Sequence, residues 1–140
     1  ILKIFRKSFN DMIKKKYKIY KKKSGSLIPI SLKKNIPFIT KRVFMIYGKK
    51  RFIRGDHAHY KCSQYLVPIY GSMIVEHEDK YKKNSTLLSF KKKEGLLLKP
   101  KTWCKISFKT DNSILMVFCD REYEYNDYIE NYKDFLKIIN

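Results

Sequence analysis

From Ser26 onward the chain breaks into short apolar runs separated by turn residues. Leu27–Ile30, Arg42–Tyr47, Tyr65–Tyr70, Ser72–Glu76, Thr86–Phe90, Leu96–Leu98, Trp103–Phe108 and Ile114–Cys119 each have strand length and β-branched or aromatic content. So many short strands in so little chain predict an all-β sandwich or barrel. Pro68 cannot donate to a ladder, so its strand needs an edge or a bulge there. Gly71-Ser72 between two apolar runs predicts a tight hairpin. The pattern then changes: Tyr128, Ile129, Tyr132, Phe135, Leu136 and Ile139 recur at helical spacing, with Asn126 or Asp127 available as a cap. This predicts a short C-terminal helix over 125–139, with Tyr128 and Tyr132 packing on the core.

Residues 1–18 differ from the rest, with lysine clusters beside scattered apolar positions, a composition compatible with a basic, partly helical extension. Met12 is an alternative start, which would leave residues 1–11 as an extension. The whole, 1–140, is expected to be one domain with its barrel over 19–120. At 140 residues, 44% hydrophobic and 15% aromatic, the chain can bury a core, which excludes a disordered class. No apolar run approaches the roughly 18 to 20 residues of a membrane span, and no signal peptide is recognisable, so a cytoplasmic protein is expected. Three widely spaced cysteines form neither a zinc pattern nor an even disulfide framework.

The net charge of +19 invites a nucleic-acid reading, but 27 of the 32 basic residues are lysine and only five arginine. Recognition of phosphates and base edges leans on arginine's fixed fork of donors, so nucleic acid is not the expected partner. The charge instead suits an anionic small molecule, which it would steer inward.

The densest chemistry lies in Arg54-Gly55-Asp56-His57-Ala58-His59. On a strand, His57 and His59 face one side together. Imidazole titrates near neutrality, which suits it to bind a metal or to move a proton. Gln64 and Gly71 follow at fixed spacing, and Gly95, Pro100, Trp103 and Cys104 come later. This spacing resembles the two motifs of the cupin superfamily, small barrels with a histidine pair, a glutamate and a later histidine at the mouth. Here Gln64 stands at the glutamate position and Cys104 at the later histidine position. A neutral amide brings no charge to a divalent cation, so no metal is expected.

Longer stretches narrow the likeness. Ser24-Gly25-Ser26-Leu27 with Ile30, Asn35-Ile36-Pro37-Phe38, Lys41-Arg42-Val43, the two-histidine segment, Gln64, Gly71-Ser72 and Asp127-Tyr128-Ile129-Glu130-Asn131-Tyr132 occur in one order across most of the chain. Together they resemble the sugar-nucleotide 3,4-ketoisomerases acting on dTDP-4-keto-6-deoxyglucose. The resemblance implies a cupin jelly-roll barrel, a homodimer with exchanged N-terminal strands, no cofactor, and transfer of the sugar ketone from C4 to C3 for 3-amino sugars of surface glycans. The chemistry of the residues suits them to roles in that reaction. His59 is expected as the base with His57 as its partner, although the two could exchange tasks. Arg42 and Arg54 are expected on the diphosphate, Gln64 as a neutral hydrogen-bonding group, and Trp103 and Tyr70 as lining or filling of the pocket. His77, between two glutamates, is expected to be an exposed bystander.

Ser24 and Cys104 depart from the family pattern, which commonly has arginine and histidine there. The alternatives are a metal-dependent cupin enzyme, a deoxysugar-nucleotide 3,5-epimerase and a basic polyanion-binding module.

Overall fold

The computed structural model describes residues 17–140. Two antiparallel sheets face each other across one core, as expected for a jelly roll. One has the order β3-β10-β5-β8, the other β11-β4-β9-β6-β7. Their strands are β3 (Arg42–Gly48), β4 (Ile53–His59), β5 (Gln64–Tyr70), β6 (Ser72–Glu78), β7 (Lys83–Ser89), β8 (Leu96–Leu98), β9 (Trp103–Phe108), β10 (Ser113–Cys119) and β11 (Tyr128–Ile129). A separate hairpin of β1 (Tyr20–Lys22) and β2 (Gly25–Leu27) precedes them, followed by the one-turn α1 (Leu32–Asn35). The expected strand at Leu27–Ile30 therefore ends at Leu27. Ile28 and Ile30 instead leave the ladder to pack on the outer face of the first sheet.

Alternation explains which side of each strand is buried. On β10, Leu115, Val117 and Cys119 enter the core between the sheets, while Met116 and Phe118 pack outside with Tyr65, Val67 and Tyr17. Both faces being covered, β10 reads as a continuous apolar run. On β3, Phe44 and Ile46 turn inward. Val43, Met45 and Tyr47 turn outward and stay exposed.

Pro68 sits where anticipated. The β5–β10 register shifts beside it, and β8 pairs with β5 only as far as Leu66, so its missing donor costs no ladder bond on that side. Gly71-Ser72 is not a hairpin. β5 and β6 belong to different sheets, and the single residue Gly71, at φ +74°, turns the corner between them. A Cβ there would collide with the Thr110 and Ser113 hydroxyls, so the corner requires glycine.

The C-terminal helix is also shorter than expected. Tyr128 and Ile129 pair with His59 and Ala58 as β11, and α2 spans only Tyr132–Ile139. Its cap is Asn131, whose side chain accepts from the Asp134 amide, rather than Asn126 or Asp127. Phe135 is fully buried and packs on Trp103, Ala58 and Ile129. Residues 1–16, which include most of the expected basic extension, lie outside the described residues. No helix among the described residues is long and apolar enough to cross a membrane.

Candidate active site

The strand register gathers one end of the sandwich into a site. Arg42 pairs with Cys119 and Cys119 with Gln64, so β3, β10 and β5 present these three side chains inward at one level. On the facing sheet His57 pairs with Cys104, and Cys104 with His77. Cross-strand partners share a face. His57, Cys104 and His77 thus form a row on the inner side, and His77 is half-buried against Thr86 Oγ1 at 3.0 Å rather than an exposed bystander.

A bulge sets the position of the histidines. The β4–β9 register slips between Gly55 and His57, where Gly55 and Asp56 take φ of +78° and +63°. Without the extra residue, Arg54 and His57 would face opposite sides. With it, Arg54 pairs with Ile106 and His57 with Cys104, so both point inward. Asp56 is turned out to the Trp103 indole and Lys105.

His59 is buried. Its ring centroid lies 5.0 Å from that of His57 and 4.4 Å from that of Tyr128. Tyr128 also reaches His57, at 4.9 Å. Behind His59 stands Asp127, buried, with Oδ2 3.3 Å from His59 Nδ1. The two are in ion-pair contact, but neither ring nitrogen of His59 completes a hydrogen bond. Such bonds often tighten only when substrate binds. The Asp127 carboxylate is fixed by the backbone amides of Lys61 (2.8 Å) and Cys62 (3.1 Å), which donate to it.

Burial, reinforced by His57, pushes the His59 imidazole down to about 4, and burial likewise lowers His57. Both rings are therefore neutral at pH 7. Burial raises the Tyr128 phenol against the opposing pull of Arg42, so it keeps its proton. Arg42 donates to Cys119 Sγ at 3.5 Å and lies over the rings of Phe44 and Tyr123. The neighbouring Cys62 thiol, with Arg42 assisting, lowers the Cys119 thiol, while Cys119 and burial raise that of Cys62, which donates to the Ser63 carbonyl at 3.4 Å.

The expected site residues separate into two groups. His57, His59, Arg42, Arg54 and Gln64 converge on one end of the sandwich. Gln64 points to the floor, its amide donating to Cys119 Sγ at 3.8 Å. Trp103 does not join them. It lies on the outer face of its sheet under α2, 5.4 Å from the Phe135 ring, because Cys104 is the residue of that pair facing inward. Tyr70 lies at the opposite end of β5, exposed beside Gly71, Ser72 and Thr110. Asp127 and Tyr128 were missed as site residues because the apolar spacing after them reads as helix.

These donors do not suit the metal position of the cupin barrel. His57 and His59 are suitable, but Gln64 is a neutral amide committed to Cys119. Cys104, paired with His57, is then the one donor able to become anionic. The set does not fit a divalent cation.

Comparison with known proteins places this geometry. Residues 10–140 match the family described as FdtA: WxcM-like, C-terminal. The chain belongs to that family. Like it, a TDP-4-oxo-6-deoxy-alpha-D-glucose-3,4-oxoisomerase of Aneurinibacillus thermoaerophilus is similar, 38% identical over 117 residues that make up 82% of this chain and 83% of the relative. Among solved structures, a histidine-to-asparagine variant of the 3,4-ketoisomerase QdtA of Thermoanaerobacterium thermosaccharolyticum, in complex with TDP-4-keto-6-deoxyglucose, superposes with a TM-score of 0.81 at 30% identity, covering 90% of this chain and 91% of that one. WlaRA of Campylobacter jejuni, a TDP-fucose-3,4-ketoisomerase, superposes with a TM-score of 0.80 at 29% identity, covering 91% and 94%. The sandwich is thus one that solved 3,4-ketoisomerases share.

Proposed function

We propose that this chain is a dTDP-4-keto-6-deoxyglucose 3,4-ketoisomerase of deoxysugar biosynthesis, acting in the cytoplasm. The observation that carries the reading is the neutral, buried His59, backed by Asp127 and faced by Tyr128 and His57. The hydrogen at C3 is acidified by the neighbouring C4 ketone, so a neutral imidazole can take it if the oxygen that gains charge is stabilised.

His59 removes the C3 proton, and the electron pair moves into the C4 carbonyl to give an enediolate. The protonated Tyr128 phenol donates to the charged oxygen, with Arg42 behind it. The C3 hydroxyl proton passes to the C4 oxygen as the C3 carbonyl forms, and C4 receives the proton held on His59, exchanged with solvent and relayed through His57. No electrons leave the sugar, so the isomerisation needs no redox partner. Arg42 and Arg54 supply the positive charge for the diphosphate.

The test is NMR of the purified chain with dTDP-4-keto-6-deoxyglucose in deuterated water. A 3-keto product carrying deuterium at C4 is expected, and its ring couplings name the epimer. Deuterium at C5 as well would mean epimerisation, and no turnover by folded, dTDP-binding protein would overturn the reading.

The same reading includes a homodimer with exchanged N-terminal strands. β3 is the open edge of its sheet, Val43, Met45 and Tyr47 are exposed along it, and the β1–β2 hairpin pairs only with itself among the described residues. An open edge with an apolar outer face suits pairing with a second copy. Equilibrium sedimentation is expected to give twice the mass of one chain, and a monomer would sink the exchange.

A further inference from the structure

His59, Cys62 and Asp127 lie together for reasons that the ketoisomerase chemistry does not use in full. His59 ends β4, Cys62 follows three residues later in the turn, and Asp127 precedes β11, which pairs with the end of β4. One ligand atom from each lies within 4.8 Å of the other two, and all three residues are buried. His59 is 6% exposed, with both ring nitrogens lacking a hydrogen-bond partner.

We propose that His59, Cys62 and Asp127 bind a divalent metal ion of zinc's class, and that filling this site silences the enzyme. The donor set is imidazole, thiolate and carboxylate, the three ligand types zinc accepts. It is distinct from the cupin position, sharing only His59 with it. Tetrahedral zinc, with bonds of about 2.3 Å to sulfur and 2.0–2.1 Å to nitrogen or oxygen, has ligand-to-ligand edges of roughly 3.3 to 3.6 Å. The His59 Nδ1 to Asp127 Oδ2 separation of 3.3 Å is already at that value, and with all three ligand atoms within 4.8 Å of one another only a small contraction completes the set. The carboxylate is oriented by the Lys61 and Cys62 amides, the kind of outer support that metal-binding carboxylates have. The Cys62 thiol is raised by Cys119 and by burial, so the metal must displace its proton to solvent as the sulfur–metal bond forms, with no change of oxidation state, and uptake should strengthen as pH rises.

Silencing follows from the tautomer. With the metal on Nδ1, the one proton of the neutral ring sits on Nε2, leaving no lone pair to accept from C3. This second half rests on His59 being the base; the binding half does not.

Cobalt(II) is the probe, because a thiolate–cobalt bond has a charge-transfer absorption that oxygen and nitrogen ligands lack. The full-length chain, reduced and stripped with chelator, is expected to take up one cobalt with that absorption, and zinc should displace it. Cys62→Ser should lose the band and bind cobalt more weakly by more than the roughly 10- to 100-fold that losing an outer-sphere partner costs. Cys104→Ser should keep both. Absence of the band in the unmodified chain overturns the site whatever the variants do. A band that survives Cys62→Ser, or one lost only in Cys119→Ser, overturns the ligand assignment. Zinc should suppress turnover of the unmodified chain in step with filling and spare Cys62→Ser. Zinc bound without loss of turnover overturns the silencing. A chain that never isomerises the sugar nucleotide fails the functional reading alone, since the cobalt band is read without substrate.

Discussion

Replacing His59 with asparagine is expected to lower kcat by roughly 10²- to 10⁴-fold, the contribution of a positioned general base, equivalent to about 3 to 5.5 kcal/mol of barrier. Asparagine approximates the shape of the imidazole near the backbone but cannot take up a proton from C3. The diphosphate contacts assigned to Arg42 and Arg54 do not involve this side chain, so dTDP affinity should persist. Progress curves by NMR give the first quantity and titration calorimetry the second. His57 is half-buried, whereas His59 is buried with a carboxylate behind it. His57→Asn should therefore cost less. If it costs more, the two histidines exchange roles, and if His59→Asn also abolishes dTDP binding, His59 is a ligand contact and not the base.

The strands that frame the site could be read from the chain because each obeys a simple alternation. β10 is apolar on both faces since both are covered, and β3 alternates because only its inner face is. The histidine pair was visible for the same reason. What could not be read depends on breaks in alternation. Two consecutive residues with positive φ at Gly55 and Asp56 shift the count by one, which brings Arg54 and His57 to one face and turns Asp56 out. Gly71-Ser72 looks like a hairpin locally, and only the partition of β5 and β6 between two sheets makes it a corner. Tyr128 fell on a helical period shared with Ile129, Tyr132 and Phe135, yet pairing with β4 extends that segment and turns its ring onto the histidines. Trp103 and Tyr70 were expected to line or fill the pocket, and an aromatic side chain alone does not say which face of a strand, or which end, its ring occupies.

Asp127→Asn should separate positioning from chemistry. The carboxylate faces His59 Nδ1, favouring the tautomer with its proton there and leaving the Nε2 lone pair for the substrate. An asparagine amide turned toward His59 would donate where the carboxylate accepts, and so would favour the opposite tautomer. In the serine protease triad the equivalent change costs about 10⁴-fold in kcat, so a loss of roughly 10²- to 10⁴-fold is expected here, with KM little altered. The same substitution removes one acceptor from the pair of amides at Lys61 and Cys62, a loss of about 1 to 3 kcal/mol if one amide is left unsatisfied. That loss lowers Tm but cannot by itself divide kcat from KM in the protein that remains folded. Nitrogen-15 NMR of the histidine rings reads the tautomer directly: unprotonated Nε2 in the native chain and unprotonated Nδ1 in the variant. An unchanged tautomer with a fall in kcat no larger than the fall in folded fraction would leave Asp127 as a brace for the turn alone.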